Sequence, residues 1–293
     1  MAQLSSDVFE RLERFYDAIP RDSAVAEDIG GLVLFVRKGE GWPYYARPRL
    51  VADEAPSAAD ITAVRQRQRE LGAPETFEWV HETNPDLLAV ARSAGLSVLL
   101  APLMVLENAA VLPDLPLPGA AVRLLDPAAP SFGADVAARR AVAMLGFGAP
   151  PAGAGPVPLD QLPPGGTPVA GPAERDAVAP PSAEEIAEER RRAAAGIVVS
   201  AIVESPTEGV LAGGVLQRAG TVAEIAGVAT LPSAQGRGFA SQLTAALARH
   251  ALADGVDLVF LSARDDDVAR LYSRVGFRRI GTACIAEPSP APL

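Results

Sequence analysis

The chain has 293 residues, a formal charge of −10 and 49% hydrophobic residues, which is length and apolar content enough for one large domain or two modest ones with buried cores. The acidic balance argues against nucleic acid and anionic membrane as main partners, because both need a cationic face. One cysteine, Cys284, excludes an intramolecular disulfide and any multi-cysteine metal site.

The N-terminus lacks the charged-then-apolar build of a signal peptide. The longest apolar run, near Leu96 to Leu106, contains Pro102 and is too short to span a bilayer. The expectation is a cytoplasmic protein.

Residues 4–18 read as an amphipathic helix, with Leu4, Val8, Leu12, Phe15 and Ile19 near one side. Gly31–Arg37 and Trp42–Arg47 read as two strands around a turn at Lys38–Gly41, and a helix is expected over Ala58–Leu71. Phe77–Glu82, Asn84–Ala94 and Ser97–Leu106 then run strand, helix, strand.

Proline breaks the chain over Leu112–Gly119, and the pattern restarts with a strand at Ala121–Leu125 and a helix at Ala134–Leu145. Residues 148–181 are loaded with Pro, Gly and Ala, without periodicity, and read as a flexible insert. Ser182–Ala195 is a charged helix with its acids toward the N-terminus, as the helix dipole prefers. Strands at Ile197–Val203, Val210–Leu216 and Thr221–Thr230 follow.

Next comes Leu-Pro-Ser-Ala-Gln235-Gly-Arg-Gly-Phe-Ala240, and then Leu243, Leu247 and Leu252 at helical spacing. A strand that turns through two glycines into a helix presents N–H groups that no helical carbonyl can satisfy. With the helix dipole added, it is a cradle for an anion, phosphate above all. It is neither of the commonest nucleotide loops. The single lysine, Lys38, is far away, so there is no Gly-Lys-Ser/Thr, and G-x-G-x-x-G is absent. A strand at Val256–Ala263, a helix at Asp265–Val275 and a strand at Gly276–Ile285 close the chain.

Gln235-Gly-Arg-Gly238-Phe-Ala240 resembles the Q/R-x-x-G-x-G/A loop of the GNAT (GCN5-related N-acetyltransferase) superfamily. Asp265-x-x-Val268-x-x-Leu271-Tyr272-x-x-x-Gly276-Phe277 resembles that family's terminal signature, N-x-x-A-x-x-L-Y-x-x-x-G-F. The stretch from Phe77 also falls on that from Leu258 without a gap, placing Asn84 on Asp265, Gly95 on Gly276 and Leu96 on Phe277. Tyr272 falls on Ala91, and no glycine loop precedes Phe77. The resemblance therefore implies a tandem: residues 1–119 as a degenerate GNAT-like domain, and 120–293 as a complete GNAT domain of α/β (α+β) class, with a mixed central sheet flanked by helices.

What the resemblance implies about function is N-acyl transfer, with acetyl-CoA as co-substrate and no metal, to a primary amine by direct attack in a ternary complex. The backbone of Gln235, Gly236, Arg237, Gly238, Phe239 and Ala240 would hold the coenzyme A pyrophosphate, with the Arg237 side chain as an available charge. Gly227, Val228 and Ala229 would face the pantetheine and thioester. Glu224, eleven residues before Gln235, would accept the amine's proton through water, and Tyr272 would protonate the leaving thiolate. Asp265 stands where the family has Asn, and brings a carboxylate toward the cofactor in place of an amide. The expected partner is a small-molecule amine or a protein amine, in a monomer or homodimer. The alternatives are a non-catalytic acyl-CoA-binding or sensing module and a protein N-acetyltransferase. His81 and His250 read as packing and solvated residues, and Cys284 as buried and inert.

Overall fold

The computed structural model describes residues 2–39, 44–52, 54–106, 116–148 and 169–289, the first five of these as main chain only. Leu4's packing, the end of the turn at Lys38–Gly41, the strand start at Trp42, the first half of the linker and the 149–168 part of the insert lie outside them.

In chain order the elements are α1 (Ala2–Arg21), β1 (Ala24–Ile29), β2 (Leu32–Arg37), β3 (Ala46–Pro48), α2 (Ala58–Glu70), β4 (Phe77–Val80), α3 (Leu87–Ser93), β5 (Leu96–Leu106), β6 (Ala121–Leu124), α4 (Phe132–Gly146), α5 (Pro172–Asp176), α6 (Ala183–Ala194), β7 (Val198–Ser205), β8 (Gly209–Ala219), β9 (Val222–Thr230), α7 (Phe239–Ala253), β10 (Leu258–Ser262), α8 (Asp266–Val275) and β11 (Phe277–Pro288). Two of them had no counterpart in the sequence reading. One is β1; the other is α5, which lies in the part of the insert that is described and carries the buried Arg175.

Contacts divide the chain into two compact units. One comprises Met1–Val105, Phe260–Ser273 and Phe277–Leu293, the other Leu106–Val259 and Arg274–Gly276. A division between 119 and 120 follows chain order, and the contacts do not, because the last strands return to the N-terminal unit.

In the N-terminal unit the strand order is β1-β2-β3-β4-β11-β5-β10. The strand β2 alternates with period two. Leu32 and Leu34 join a core with Phe77, Trp79, Cys284 and the buried residues of α2 and α3, whereas Val33 and Phe35 join a second cluster with Ala24. Ser57 caps α2 through a reciprocal pair with Asp60. The internal repeat becomes an exchange of strands. Antiparallel pairing joins β4 to β11 and β10 to β5, so each copy's opening strand pairs with the other copy's closing strand. The two pairings differ by two residues. Phe260 faces Val105, while its repeat counterpart Trp79 faces Cys284 and not Ala286, the counterpart of Val105.

In the other unit β9-β8-β7-β6 form an antiparallel meander. Helices cover both faces, and two adjacent glycines show why. A Cβ on Gly213 would lie 2.6 Å from Arg139 Cγ of α4, and one on Gly214 would lie 3.2 Å from Leu243 Cδ2 of α7. Successive strand residues point to opposite faces, so α4 and α7 lie on opposite sides, each packed closely over a glycine. The helix α6 adds Glu189, buried, which accepts from Arg139 at 2.6 Å, from Arg140 at 3.0 Å and from the Ser200 hydroxyl at 3.1 Å. Its neighbouring guanidiniums hold its carboxyl below the usual range against the cost of burial.

Candidate functional site

The glycine stretch folds as its composition requires. After β9 a short 3-10 turn, Pro232–Ala234, leads to Gln235 in extended conformation. Gly236 and Gly238 then have φ of +77° and +81°, a left-handed region that residues with a Cβ enter at a cost. Gly238 caps α7. Gln235 to Gly238 are exposed, and a Cβ on either glycine would meet nothing within 4 Å. Among the described residues, the main-chain N–H groups of Gly236, Arg237, Gly238, Phe239 and Ala240 make no hydrogen bond outside regular helix and strand. At the first turn of α7 there is no preceding carbonyl to take them. The result is an open run of donors at the positive end of a 15-residue helix, fitted to a polyphosphate.

The strand leading to the loop is bulged. Gly213 pairs with Ala229 and Val215 with Ala226, so Gly214 alone stands opposite Gly227 and Val228. Gly227 has φ of +61°, the left-handed residue that such a bulge uses. Val228 turns its side chain toward Gly214, where an added Cβ would stand 3.0 Å from Val228 Cγ2. The extra residue breaks the regular ladder with β8 at Gly227 and Val228, two of the three positions expected to face a thioester. Glu224 lies before the bulge, partly buried, opposite Gln217.

Arg237 is more committed than the sequence suggests. Its guanidinium donates to Glu208 at 3.0 Å and stands 6.0 Å from the Phe239 ring centroid. Glu208 belongs to the turn between β7 and β8, and nothing in its sequence context marks it. Gly213-Gly214 did carry a signal, since paired glycines inside a strand point to a close backbone approach.

Tyr272 and Asp265 belong to the N-terminal unit, and the loop and bulge to the other. Tyr272 is 7% exposed, and its ring meets Phe277 edge-on at 6.3 Å between centroids. Burial pushes its phenol up to about 12, so it stays protonated across the neutral range. Asp265 caps α8, accepting the Val268 N–H at 2.9 Å. That contact, followed by the Arg264 guanidinium, holds its carboxyl below the usual range.

His81 has its Nδ1 buried without a partner among the described residues. His250, in the last turn of α7, lines a cavity of about 250 Å³ with Leu124, Leu216, Val256 and the Arg218–Asp254 ion pair. That cavity is at the far end of α7 from the glycine loop, about 22 Å along a helix of this length. Cys284 is fully buried, and its thiol is pushed up to about 12, chiefly by burial. No group of His, Cys, Asp and Glu among the described residues is arranged to hold a metal, and none of their helices is long and apolar enough to cross a membrane.

Comparison with known proteins follows this geometry. Residues 188–286, which hold the bulged strand, the loop and the Tyr272 helix, match the family described as FR47-like protein. A GCN5-related N-acetyltransferase from Kribbella flavida superposes with a TM-score of 0.64 at 19% identity, over 97% of this chain and 96% of that one. An acetyltransferase of the GNAT family from Novosphingobium aromaticivorans gives 0.51 at 18% identity, over 92% and 93%. A tandem GNAT protein from the clavulanic acid biosynthesis pathway gives 0.51 at 14% identity, over 90% of this chain and 80% of that one. No curated protein matches the chain. With the FR47-like match over the bulged strand and loop, the mixed sheet and its helices identify the chain as having the fold of the GCN5-related N-acetyltransferases.

Proposed function

We propose that the protein is an acyl-CoA-dependent N-acyltransferase that moves an acetyl group from acetyl-CoA to a primary amine, a small molecule in the first instance. The observation that carries this reading is the run of open N–H donors from Gly236 to Ala240, entered from a strand whose bulge sets Gly227 and Val228 together opposite Gly214.

Each residue has one task. The loop amides hold the pyrophosphate, with Arg237 adding charge once it leaves Glu208. The Val228 N–H polarises the thioester carbonyl as negative charge develops on its oxygen. Glu224 accepts the attacking amine's proton through water, and Tyr272 returns a proton to the departing sulfur. A phenol near 12 is a weak acid in water. The same burial that raises it also raises a thiolate, so the transfer runs between groups shifted in one direction. The reading carries with it a cytoplasmic setting, where the thioester donor is found.

Calorimetric titration with acetyl-CoA and coenzyme A, followed by free-thiol release over a panel of small amines and N-terminal peptides, tests it. Binding with turnover on one class of amine supports the reading and names the acceptor. Binding without turnover on any amine leaves only a sensing module, and absence of binding overturns both.

A further inference from the structure

The described part of the insert fastens two parts of the loop's surroundings together. The Ala170 carbonyl accepts the Ser233 N–H at 3.0 Å, in the turn that enters the glycine loop. Five residues on, Arg175, 8% exposed, donates to the carbonyls of Glu208 at 2.8 Å and Val210 at 2.6 Å. Both approaches are tight at a glycine. A Cβ on Gly171 would lie 3.1 Å from Ser233 Oγ, and one on Gly209, whose φ is +70°, would lie 3.0 Å from the Arg175 guanidinium. The turn carrying Glu208 is thus pinned by a buried cation while the loop entrance is pinned by the same segment, and the Glu208 carboxylate meets Arg237 at 3.0 Å.

We propose that Glu208, held by the Ala170–Asp176 clasp, is an affinity-setting residue for the glycine loop: its carboxylate occupies the Arg237 guanidinium, and an incoming polyphosphate must displace it. The inference rests on the acyl-CoA reading of that loop. The loop's amides attract any anion, but its one side-chain cation is already matched by a fixed acid. Binding therefore exchanges one charge-assisted contact for another and adds repulsion between Glu208 and the phosphates. Such an arrangement lowers affinity for the donor and for the product coenzyme A alike, and favours release after turnover.

The test is calorimetric titration of coenzyme A, and separately of inorganic pyrophosphate, into wild type, Glu208→Gln, Arg237→Gln and the double variant at low ionic strength. Both side chains are well exposed, so all four proteins should fold. Glu208→Gln should bind coenzyme A about three- to tenfold more tightly, and the gain should shrink as salt is raised. Arg237→Gln should bind more weakly, and adding Glu208→Gln to it should recover at most a small part. Wild type and Glu208→Gln binding equally well would overturn this inference and leave the acyl-CoA reading standing. A full gain that persists in the Arg237→Gln background would overturn it too, because Glu208 would then act on phosphate and not through Arg237. Failure of both proteins to bind coenzyme A would remove the acyl-CoA reading, and this inference with it.

Discussion

Asp265 accepts the main-chain N–H of Val268 at 2.9 Å and so closes the first turn of α8. The residue that departs from the family signature is here a helix cap, a position where Asp and Asn serve almost equally. Asp265→Asn should therefore change stability by only a few tenths of a kcal/mol, while Asp265→Ala should cost about 1 kcal/mol. Urea denaturation of the two variants checks this. Equal losses in both would assign Asp265 a charge-dependent role instead.

A second prediction concerns pH. Glu78 on β4 has its carboxyl raised from an ordinary 4.5 to about 7, mainly by burial; Arg47 opposes the shift and Glu287 adds to it. The folded protein thus holds this proton where the unfolded chain releases it. Glu78's stabilising share is full below about pH 4.5, declines as pH rises through 7 and is flat above. The loss should amount to about 1–3 kcal/mol. Glu78→Gln should flatten this part of the stability profile and be the more stable protein at pH 8. Denaturant midpoints at pH 5, 6, 7 and 8 decide it.

The proton-handling roles give a kinetic prediction. Tyr272→Phe and Glu224→Gln should each slow thiol release by about tenfold or more while coenzyme A affinity changes by less than about twofold. Tyr272→Phe keeps the edge-on contact with Phe277 and removes only the hydroxyl, so loss of turnover there reports chemistry and not packing. Unchanged turnover in either variant removes that residue's role.

Much of this was legible from local pattern. The loop announces itself through Gly236 and Gly238, and α6 through acids gathered toward its N-terminus. Non-local relationships were not legible. The repeat shows two similar stretches but not that β11 pairs with β4 and β10 with β5, since strand pairing depends on which edges the whole chain leaves open. The strand β1, Ala-Val-Ala-Glu-Asp-Ile, carries two adjacent acids that blur its period, and only its six-residue ladder with β2 makes it a strand. The clasp at Arg175 was hidden for another reason. Its neighbour Asp176 pairs with the guanidinium, but the main-chain carbonyls of Glu208 and Val210 that fix it in place leave no mark in the sequence.

Two glycines meet at the bulge for different physical reasons, and substitution separates them. Gly227 is needed for its backbone: φ is +61°, and an added Cβ would meet nothing within 4 Å. Gly227→Ala should cost about 1–2 kcal/mol of strain, whatever the space around it. Gly214 is not in the left-handed region, but a Cβ there would press on Val228 Cγ2 at 3.0 Å and Leu243 Cδ2 at 3.2 Å. Gly214→Ala should therefore push Val228, and with it the proposed thioester donor, so turnover should fall further per unit of lost stability than in Gly227→Ala. Shortening Val228 to Ala in the Gly214→Ala background removes the nearer of the two obstructing atoms and should restore part of both. Denaturation midpoints and thiol-release rates for the three proteins check the argument, and an equal effect of Gly214→Ala with Val or Ala at 228 would overturn it.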